Sequence, residues 1–327
     1  DYEFVANKFT WYDTGNLSSL CNAKEKLKKD NAPEILEKQN EAIWFVSGKA
    51  IKYSQNKQFI EQRVERSKIL KNYVPKIIQS SKNMYSYTEI IGQVFSRVTN
   101  QNNFSKLLAF LDDFWEEVSL SNQEKKEFYK ACSNFYKEKT NQRIDLFFKR
   151  YSEQDNYEII NGLHVPTIKE ILAKINWEKL AQGKPTRFHG DLHFENILVT
   201  ETGDFFLLDW RENFSGLMQY GDIYYDLAKI LHGIIISHQL INLGCYSISK
   251  NENIVKYDFH RMQKLVDNEK DFINYLKEKD LDVYKVKLLT ALIFINIAPL
   301  HHDPYSKFLF YLGKENLYRL VFEDDKY

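Results

Sequence analysis

The chain has 327 residues, with 45 Lys plus Arg against 45 Asp plus Glu, and 43% of its residues are hydrophobic. This balance of charge argues against a protein that binds nucleic acid electrostatically. The 23 Phe and 21 Tyr argue against a disordered or low-complexity chain.

Three cysteines lie far apart, with no CxxC pair, so we expect neither a zinc site nor a disulfide framework. They are Cys21, Cys132 and Cys245. A reducing cytoplasm is the simplest setting. The apolar run Leu288–Leu300 is too short to span a bilayer, and no signal peptide opens the given sequence. The sequence starts at Asp1 rather than Met, as a piece of a longer protein would.

Residues 34–95 are predicted to form strands, one helix and further strands. The helix covers Asn56–Asn72 and ends before Pro75. The strand-like runs are Ala42–Val46, Ala50–Tyr53, Lys76–Gln79 and Met84–Val94. The first two flank a hairpin turn at Ser47–Lys49. Upstream, Asn16–Lys29 has helical character, and Asp30–Pro33 interrupts it.

From about residue 104 the apolar pattern becomes helical. The predicted helices are Phe104–Val118, Glu124–Arg150, Ile168–Ala181, Tyr224–Ile236, Val255–Glu278 and Val283–Ile297. One β-like island, Phe188–Asp209, interrupts them. A small β-rich half beside a larger helical half leaves a cleft, and clefts of this kind usually hold ligands.

The island carries the chemistry. Asp191 and Asn196 lie five positions apart, around a loop that enters an apolar strand, and Asp209 follows the next apolar strand. Adjacent strands bring the Asn196 amide and the Asp209 carboxylate together, which suits Mg²⁺. Asp191 is then free to accept a proton from an attacking hydroxyl, as phosphoryl transfer requires. Singly, these residues are ordinary turn formers and His189 an ordinary core histidine, but the joint spacing is not expected by chance.

The motif HGDLHFEN at 189–196, followed by LLDW at 207–210, resembles the aminoglycoside phosphotransferase and choline kinase group. This resemblance covers roughly 34–327. It implies an α+β, protein-kinase-like fold with two lobes, a small β-rich N-lobe at 33–95 and a larger helical C-lobe at 96–327. It also implies Asp191 as the catalytic base, Asn196 and Asp209 as Mg²⁺ ligands, and ATP, or alternatively GTP, as phosphoryl donor.

The resemblance extends to the segment GDIYYDLA at 221–228, in which Asp222 or Asp226 braces the catalytic loop. The stretch Tyr87–Gly92 resembles the hinge, whose backbone at Glu89 and Ile91 would hold the adenine.

Ala50–Lys52 resembles the strand whose lysine contacts the nucleotide phosphates. Taken alone, Lys52 is better explained as a solvated strand lysine, and only the metal-binding loop reverses this preference. Its carboxylate partner is expected on the following helix, where Glu61 and Glu65 share one face. We choose Glu65, which is better spaced from Lys52.

The sequence departs from the family pattern in two places. The turn near Gln39–Asn40 has no glycine-rich phosphate loop, which leaves a nucleotide-binding, pseudokinase-like module as an alternative. Asp209 is followed by Trp210–Glu212 instead of Phe-Gly, which favours a small-molecule kinase over a protein kinase.

The opening segment Phe9–Asn16 resembles the end of a sugar-nucleotide pyrophosphorylase, with Asp13 at the metal-binding position. An ordinary turn explains it equally well. If the likeness holds, residues 1–32 are a remnant or linker, Asp13 is inert here, and the full-length protein fuses a nucleotidyltransferase to a kinase.

The expected acceptor is a small-molecule hydroxyl compound, a sugar or an amino alcohol, and neither nucleic acid nor a membrane is an expected partner. Candidate contacts are Arg211, Glu212 and the cluster His301–Asp303, for which a metal role is disfavoured. Choline or ethanolamine would need aromatic and acidic walls. Aromatic residues that are otherwise core are available for this: Trp210, Tyr220, Tyr224 and Tyr225. The suspected fusion favours a sugar in surface-polysaccharide or lipid precursor synthesis.

Overall fold

The computed structural model describes residues 40–323, all of which lie in one compact unit. The predictions for residues 1–32, including the pyrophosphorylase-like end, therefore lie outside the described residues, as does Gln39.

The N-lobe sheet has four antiparallel strands in the order β1-β2-β4-β3. They are β1 (Glu41–Val46), β2 (Lys49–Ser54), β3 (Ile77–Ser80) and β4 (Met84–Thr88). β1 and β2 pair from Val46 opposite Lys49, so the predicted hairpin has a two-residue turn.

Helix α1 (Lys57–Leu70) crosses this sheet. It begins at Asn56, whose side chain accepts a hydrogen bond from the Phe59 N–H at 3.1 Å. Its buried positions recur every three or four residues, at Ile60, Arg63, Arg66 and Leu70. Two arginines therefore face inward on this helix.

The N-lobe is joined to the C-lobe by the hinge and by β5 (Gln93–Val94). β5 pairs with β9 (Ile197–Val199), and β9 pairs with β10 (Phe205–Leu207). We call β9 and β10 the catalytic hairpin. A Cβ on Gly92 would lie 2.4 Å from the Val199 carbonyl oxygen. Only glycine therefore allows the hinge to approach the catalytic hairpin this closely.

The rest of the C-lobe is mainly helical. Its helices are α2 (Phe95–Val98), α3 (Gln101–Phe114), α4 (Asn122–Ser133), α5 (Lys139–Tyr151), α6 (Ile168–Lys174), α7 (Trp177–Ala181), α8 (Ile223–Ile235), α9 (His238–Asn242), α10 (Gln263–Glu278), α11 (Val283–Ile297) and α12 (Tyr305–Phe322). A π-helical turn, Asn134–Glu138, joins α4 to α5.

Helix α11 is the central helix of the C-lobe, packed against α5, α8 and α12. It is apolar on nearly all sides, as a helix surrounded by protein must be. Val283–Leu300 is long and apolar enough to span a bilayer by length and composition, and 72% of this stretch is buried in the fold.

The predicted α+β architecture, with a small β-rich part before a larger helical part, is confirmed. The predicted helix Val255–Glu278 is wrong over its first residues, which form β13 (Ile254–Phe259). Exposed and more buried side chains alternate there with a period of two, as on a strand. β13 lies in a four-stranded sheet with three other unpredicted strands: β12 (Tyr246–Asn251), β6 (Glu158–Ile160) and β7 (Leu163–Val165). Helix α12 was also not predicted.

Candidate active site

The backbone of the catalytic loop, His189–Asn196, is held by Asp226 on α8. Its carboxylate accepts hydrogen bonds from the N–H groups of His189 and Gly190, each at 2.7 Å, and from the Trp115 ring N–H at 3.2 Å. Gly190 has φ +88°, and a Cβ there would lie 2.6 Å from Cβ of Arg211. Burial raises the pKa of Asp226 to about 6. Of the two aspartates expected to brace this loop, Asp226 is the one that contacts it.

Asp222 is structural in a different way. It is buried and caps α8 by accepting the Tyr224 N–H at 3.2 Å. Its carboxylate also accepts a hydrogen bond from the Tyr136 hydroxyl at 2.7 Å and lies 3.2 Å from the Lys285 amine.

Asp191 projects from this loop and is about one-third exposed, with a side-chain accessibility of 35%. Its Oδ1 lies 2.7 Å from Nζ of Lys229, and its Oδ2 lies 3.7 Å from Nε2 of His193. Burial opposes ionisation, but Lys229 and His193 outweigh it and hold the pKa of Asp191 well below its usual range. Asp191 is therefore an ionised, oriented hydrogen-bond acceptor at neutral pH.

His189 connects the loop to the catalytic hairpin. Its Nε2 lies 2.8 Å from the Leu208 carbonyl oxygen, and its Nδ1 accepts the Asp191 N–H at 3.2 Å. Burial lowers the pKa of His189 to about 3. The ring is therefore neutral, with its proton on Nε2.

The catalytic hairpin places Asn196 and Asp209 at the same end of two neighbouring strands. Leu207 pairs with Ile197, and the Leu208 N–H donates to the Asn196 carbonyl at 2.7 Å. The Asn196 side-chain nitrogen donates to the Asp191 carbonyl at 2.9 Å. Its amide oxygen makes no hydrogen bond with any residue from 40 to 323 and is available to a cation. Asp209 has φ +57°, a strained conformation of the kind found at functional sites.

Two cationic side chains from the N-lobe converge on Asp209. Lys52 from β2 and Arg63 from α1 both form ion pairs with Oδ1 of Asp209. Burial would lower the pKa of Arg63, but Asp209 and Tyr85 outweigh it and raise that pKa above its usual value. The structure therefore places Lys52 beside the predicted metal ligand.

The expected pairing of Lys52 with Glu65 does not occur. Glu65 is exposed and forms an ion pair with Lys68 at 2.6 Å, and Glu61 is exposed as well. Both glutamates share a face, as predicted, but that face points to solvent. Arg63 and Arg66 occupy the inward face.

Arg66 ties α1 to the C-lobe. The guanidinium donates to the backbone carbonyls of Phe188, Arg211 and Met218, the last at 3.2 Å, and lies over the Phe188 ring. Burial lowers the pKa of Arg66 to about 9. Since each donated bond reaches a backbone carbonyl, α1 fixes the chain on both sides of the catalytic hairpin.

The hinge-like stretch lies between the N-lobe sheet and the catalytic hairpin. The Glu89 N–H donates to the Gly48 carbonyl at 2.9 Å. Ile91 is 71% exposed, and its backbone groups make no hydrogen bond within the described part of the chain. Ile91 is therefore accessible, as an adenine-binding position must be.

The donor set fits Mg²⁺. No group of three His, Cys, Asp or Glu side chains that could hold a metal occurs within residues 40–323. Mg²⁺ in phosphoryl-transfer sites takes only one or two protein oxygens, its other ligands being water and phosphate. The Asn196 amide oxygen and the Asp209 carboxylate supply two such oxygens.

The acceptor residues proposed from the sequence are mostly placed elsewhere. Trp210, Tyr220 and Tyr225 are buried in the core, and the Tyr224 hydroxyl accepts the Asp282 N–H at 3.2 Å. Asp303 pairs with Lys307, and the His301 ring packs on Tyr305. Arg211 and Tyr225 are exceptions, because Arg211 lies against Gly190 in the catalytic loop and the Tyr225 ring centre lies 5.7 Å from Nζ of Lys139.

Sequence reasoning missed Lys229 and Arg63. Lys229 follows Asp226 by three positions on an otherwise apolar helix, and both side chains are buried on α8. A lysine inside such a stripe is rarely buried without a carboxylate partner, which was the available signal.

The model of the Phosphotransferase enzyme family (APH) matches residues 129–241. No curated protein sequence matches the chain. Solved structures with a similar chain course include LicA in complex with AMP, at 12% identity and a TM-score of 0.49, over 93% of this chain and 98% of that one. An ethanolamine kinase from Plasmodium vivax has 13% identity and a TM-score of 0.48, over 97% and 93%. The streptomycin–ATP–APH(2")-IIa complex has 10% identity and a TM-score of 0.44, over 93% and 96%.

Likenesses this distant leave the function to be argued from the chain's own residues. The family match is different, because residues 129–241 include Asp191, Asn196 and Asp209. The part of the chain that carries the candidate site therefore matches a family of phosphotransferases.

Proposed function

We propose that the chain is an Mg²⁺- and ATP-dependent kinase that phosphorylates a hydroxyl group of a small molecule, with GTP as the alternative donor. One observation carries the proposal. The ionised Asp191 lies one loop away from two oxygen donors, Asn196 and Asp209, which the catalytic hairpin holds at one end of its strands.

Asp191 orients the acceptor hydroxyl. As the new bond from the acceptor oxygen to the γ-phosphorus forms and the bond from that phosphorus to the β-bridging oxygen breaks, the hydroxyl proton passes to Asp191 and then to solvent. Because Lys229 stabilises the carboxylate, Asp191 acts chiefly by positioning the hydroxyl.

Asn196 and Asp209 would hold Mg²⁺, which supplies charge neutralisation of the phosphates. Lys52 and Arg63 then have a second role. Both share the Asp209 carboxylate in this structure, so their positive charges would lie beside the phosphates of a nucleotide bound there. The backbone at Glu89 and at the exposed Ile91 is the proposed adenine contact.

We further propose an acceptor class, a division of the chain and a cellular setting. The acceptor is a sugar or an amino alcohol. The chain divides into 1–32, the N-lobe 33–95 and the C-lobe 96–327, and the full-length protein carries a nucleotidyltransferase. The reaction is placed in the cytoplasm, in keeping with the free thiols of Cys132 and Cys245.

The test is Mg²⁺-dependent ATP consumption against pooled sugars, choline with ethanolamine, and aminoglycosides, with Asp191→Asn as the blank. Turnover in one pool that the variant lacks supports the kinase. Nucleotide binding without any turnover favours the binding module, in which Lys52 and Arg63 keep Asp209 closed to metal.

A further inference from the structure

Four cationic side chains lie on the C-lobe side of the catalytic loop, and one of them, Lys229, forms an ion pair with Asp191. Lys139 and Arg143 lie one helical turn apart on α5, Arg211 follows the catalytic hairpin, and Lys229 is on α8. A Cβ on Gly190, the residue before Asp191, would touch Arg211. We call these four residues the cation cluster.

The cluster has more positive charge than the surrounding residues neutralise. Lys229 is paired with Asp191 at 2.7 Å. No carboxylate from residues 40–323 forms an ion pair with Lys139, Arg143 or Arg211. Burial, and then the charges of Arg211, Lys229 and Arg143, hold the pKa of Lys139 well below its usual range. Lys139 and Arg211 lie over the same Phe135 ring and are close enough to repel each other. Neither they nor Arg143 has a carboxylate partner among residues 40–323.

A quaternary ammonium group binds on aromatic rings. The rings beside the cation cluster are already in contact with cationic side chains of the chain itself. Nζ of Lys139 lies 4.2 Å from the centre of the Phe135 ring and 5.7 Å from that of Tyr225. The Arg211 guanidinium carbon lies 4.9 Å from the centre of the Phe135 ring. A cationic acceptor would meet occupied rings and like charge.

The local backbone also favours a binding role for Lys139. The π-helical turn Asn134–Glu138 ends immediately before it. Such turns are frequent at functional sites, since the extra residue per turn redirects the side chains that follow. Here the residues that follow are Lys139 and, four positions on, Arg143, both on the partly exposed face of α5.

We propose that the acceptor is anionic: a hydroxyl compound with a carboxylate or phosphate group, which the unpaired Lys139, Arg143 and Arg211 bind while Asp191 orients its hydroxyl. This rests on the proposed kinase function and, of its two acceptor classes, keeps the sugar and excludes the amino alcohol. An anionic sugar derivative or hydroxy acid fits the cluster, and choline, ethanolamine and aminoglycosides do not.

The test compares acceptors of one shape and different charge. Glucuronate, glucose and glucosamine form one set, and glycerate, glycerol and 3-amino-1,2-propanediol form a second. Glucose 6-phosphate and glycerol phosphate separate phosphate from carboxylate. With Mg²⁺-ATP, we expect an anionic member of at least one set to exceed its neutral and cationic partners at least 100-fold in kcat/KM. A neutral or cationic member that equals or exceeds its anionic partner overturns the proposal.

Variants on α5 provide the second measurement. Arg143→Gln should lower kcat/KM for the anionic acceptor at least 10-fold and reduce its preference over the neutral partner. The matched control is Lys149→Gln, since Lys149 is exposed on the same helix, and it should leave both constants unchanged. Equal effects of the two variants would contradict a binding role for Arg143.

If no compound is turned over, calorimetry measures the binding of the same compounds to the chain loaded with Mg²⁺ and a non-hydrolysable ATP analogue. Affinity in the order anion, neutral, cation supports the proposal, and any other order, or no binding of any anion, overturns it. The proposed kinase function fails separately. It fails if the chain hydrolyses no ATP and binds no Mg²⁺-nucleotide.

Discussion

Asp191 and Asp209 have different roles in the proposed mechanism, so substitutions at the two positions should affect different kinetic constants. Asp191→Asn keeps the side-chain shape and should lower kcat at least 100-fold, because general-base and orienting contributions are of this order. It should leave the affinity for Mg²⁺-nucleotide within about 2-fold. Asp209→Ala should weaken that affinity at least 10-fold. Titration of a fluorescent ATP analogue measures the affinity, and near-normal turnover by Asp191→Asn would refute the assigned role.

Arg63 and Glu65 lie two positions apart on α1 and face opposite ways. Arg63→Gln removes one of the two cations on Asp209, so we expect the KM for nucleotide to rise at least 10-fold. Glu65→Gln removes only an exposed ion pair, which contributes about 0 to 1 kcal/mol, so the same KM should stay within 2-fold. Steady-state kinetics with ATP as the varied substrate distinguishes them. A larger effect of Glu65→Gln than of Arg63→Gln would support Glu65 as the partner of Lys52, as predicted from the sequence.

Spacing predicted the proximity of Asp191, Asn196 and Asp209, because they are close in the sequence and joined by one hairpin. Their roles remain proposals. The partner of Lys52 was not predictable in this way. It depends on which face of α1 turns inward, and the polar stripe of that helix contains both glutamates and arginines. The cation cluster brings together three separate segments, and their proximity follows only from the packing of α5 and α8 against α11.

The hinge and the catalytic hairpin form one element through β5 and β9. Gly92→Ala would force a Cβ to within 2.4 Å of the Val199 carbonyl. We expect it to lower the free energy of unfolding by about 1 to 3 kcal/mol, typical of overpacking, and to raise the KM for nucleotide. Gln93→Ala, at the exposed neighbour, is the control and should change neither. Denaturant unfolding measures the first effect. If Gly92→Ala leaves the free energy of unfolding unchanged, the two strands are free to move apart.

At this scale the N-lobe strands and most of the long helices were predicted, whereas helix α12 and the four-stranded sheet of the C-lobe were not. In Tyr246–Phe259, charged and polar side chains lie between apolar ones. This pattern is compatible with a helix as well as with a strand. Its strand character is settled by pairing of β13 with β6, about a hundred residues away in sequence. Long-range pairing of this kind leaves little trace in local sequence.

Across the whole molecule, buried histidines make stability depend on pH. Burial lowers the pKa of His189 and His238 to about 3 and that of His301 to about 4, and His232 is lowered in the same direction. These imidazoles bind protons near pH 6.5 in the unfolded chain but only at much lower pH in the folded chain. Their contribution to the free energy of unfolding is therefore complete above pH 6.5 and is lost as the pH falls toward 4.

For His189 alone, this loss is about 2 kcal/mol between pH 7 and pH 5. Asp226 acts in the opposite direction, because its raised pKa of about 6 lets the folded state take up a proton first. That gain is about 1 kcal/mol over the same interval. We therefore expect a net fall in the free energy of unfolding, measured in urea at pH 7, 6 and 5. Constant or rising stability toward pH 5 would mean that these imidazoles are hydrated and titrate normally.

The cation cluster lies in a chain whose formal net charge is 0. Its field is therefore local, and it is screened beyond a Debye length of about 8 Å at physiological ionic strength. An approaching anion meets a neutral protein until it is nearly in place, so little long-range steering is available to speed its arrival. Acceptors should then differ mainly in their dissociation rates. Added salt should shorten the lifetime of the complex far more than it slows its formation.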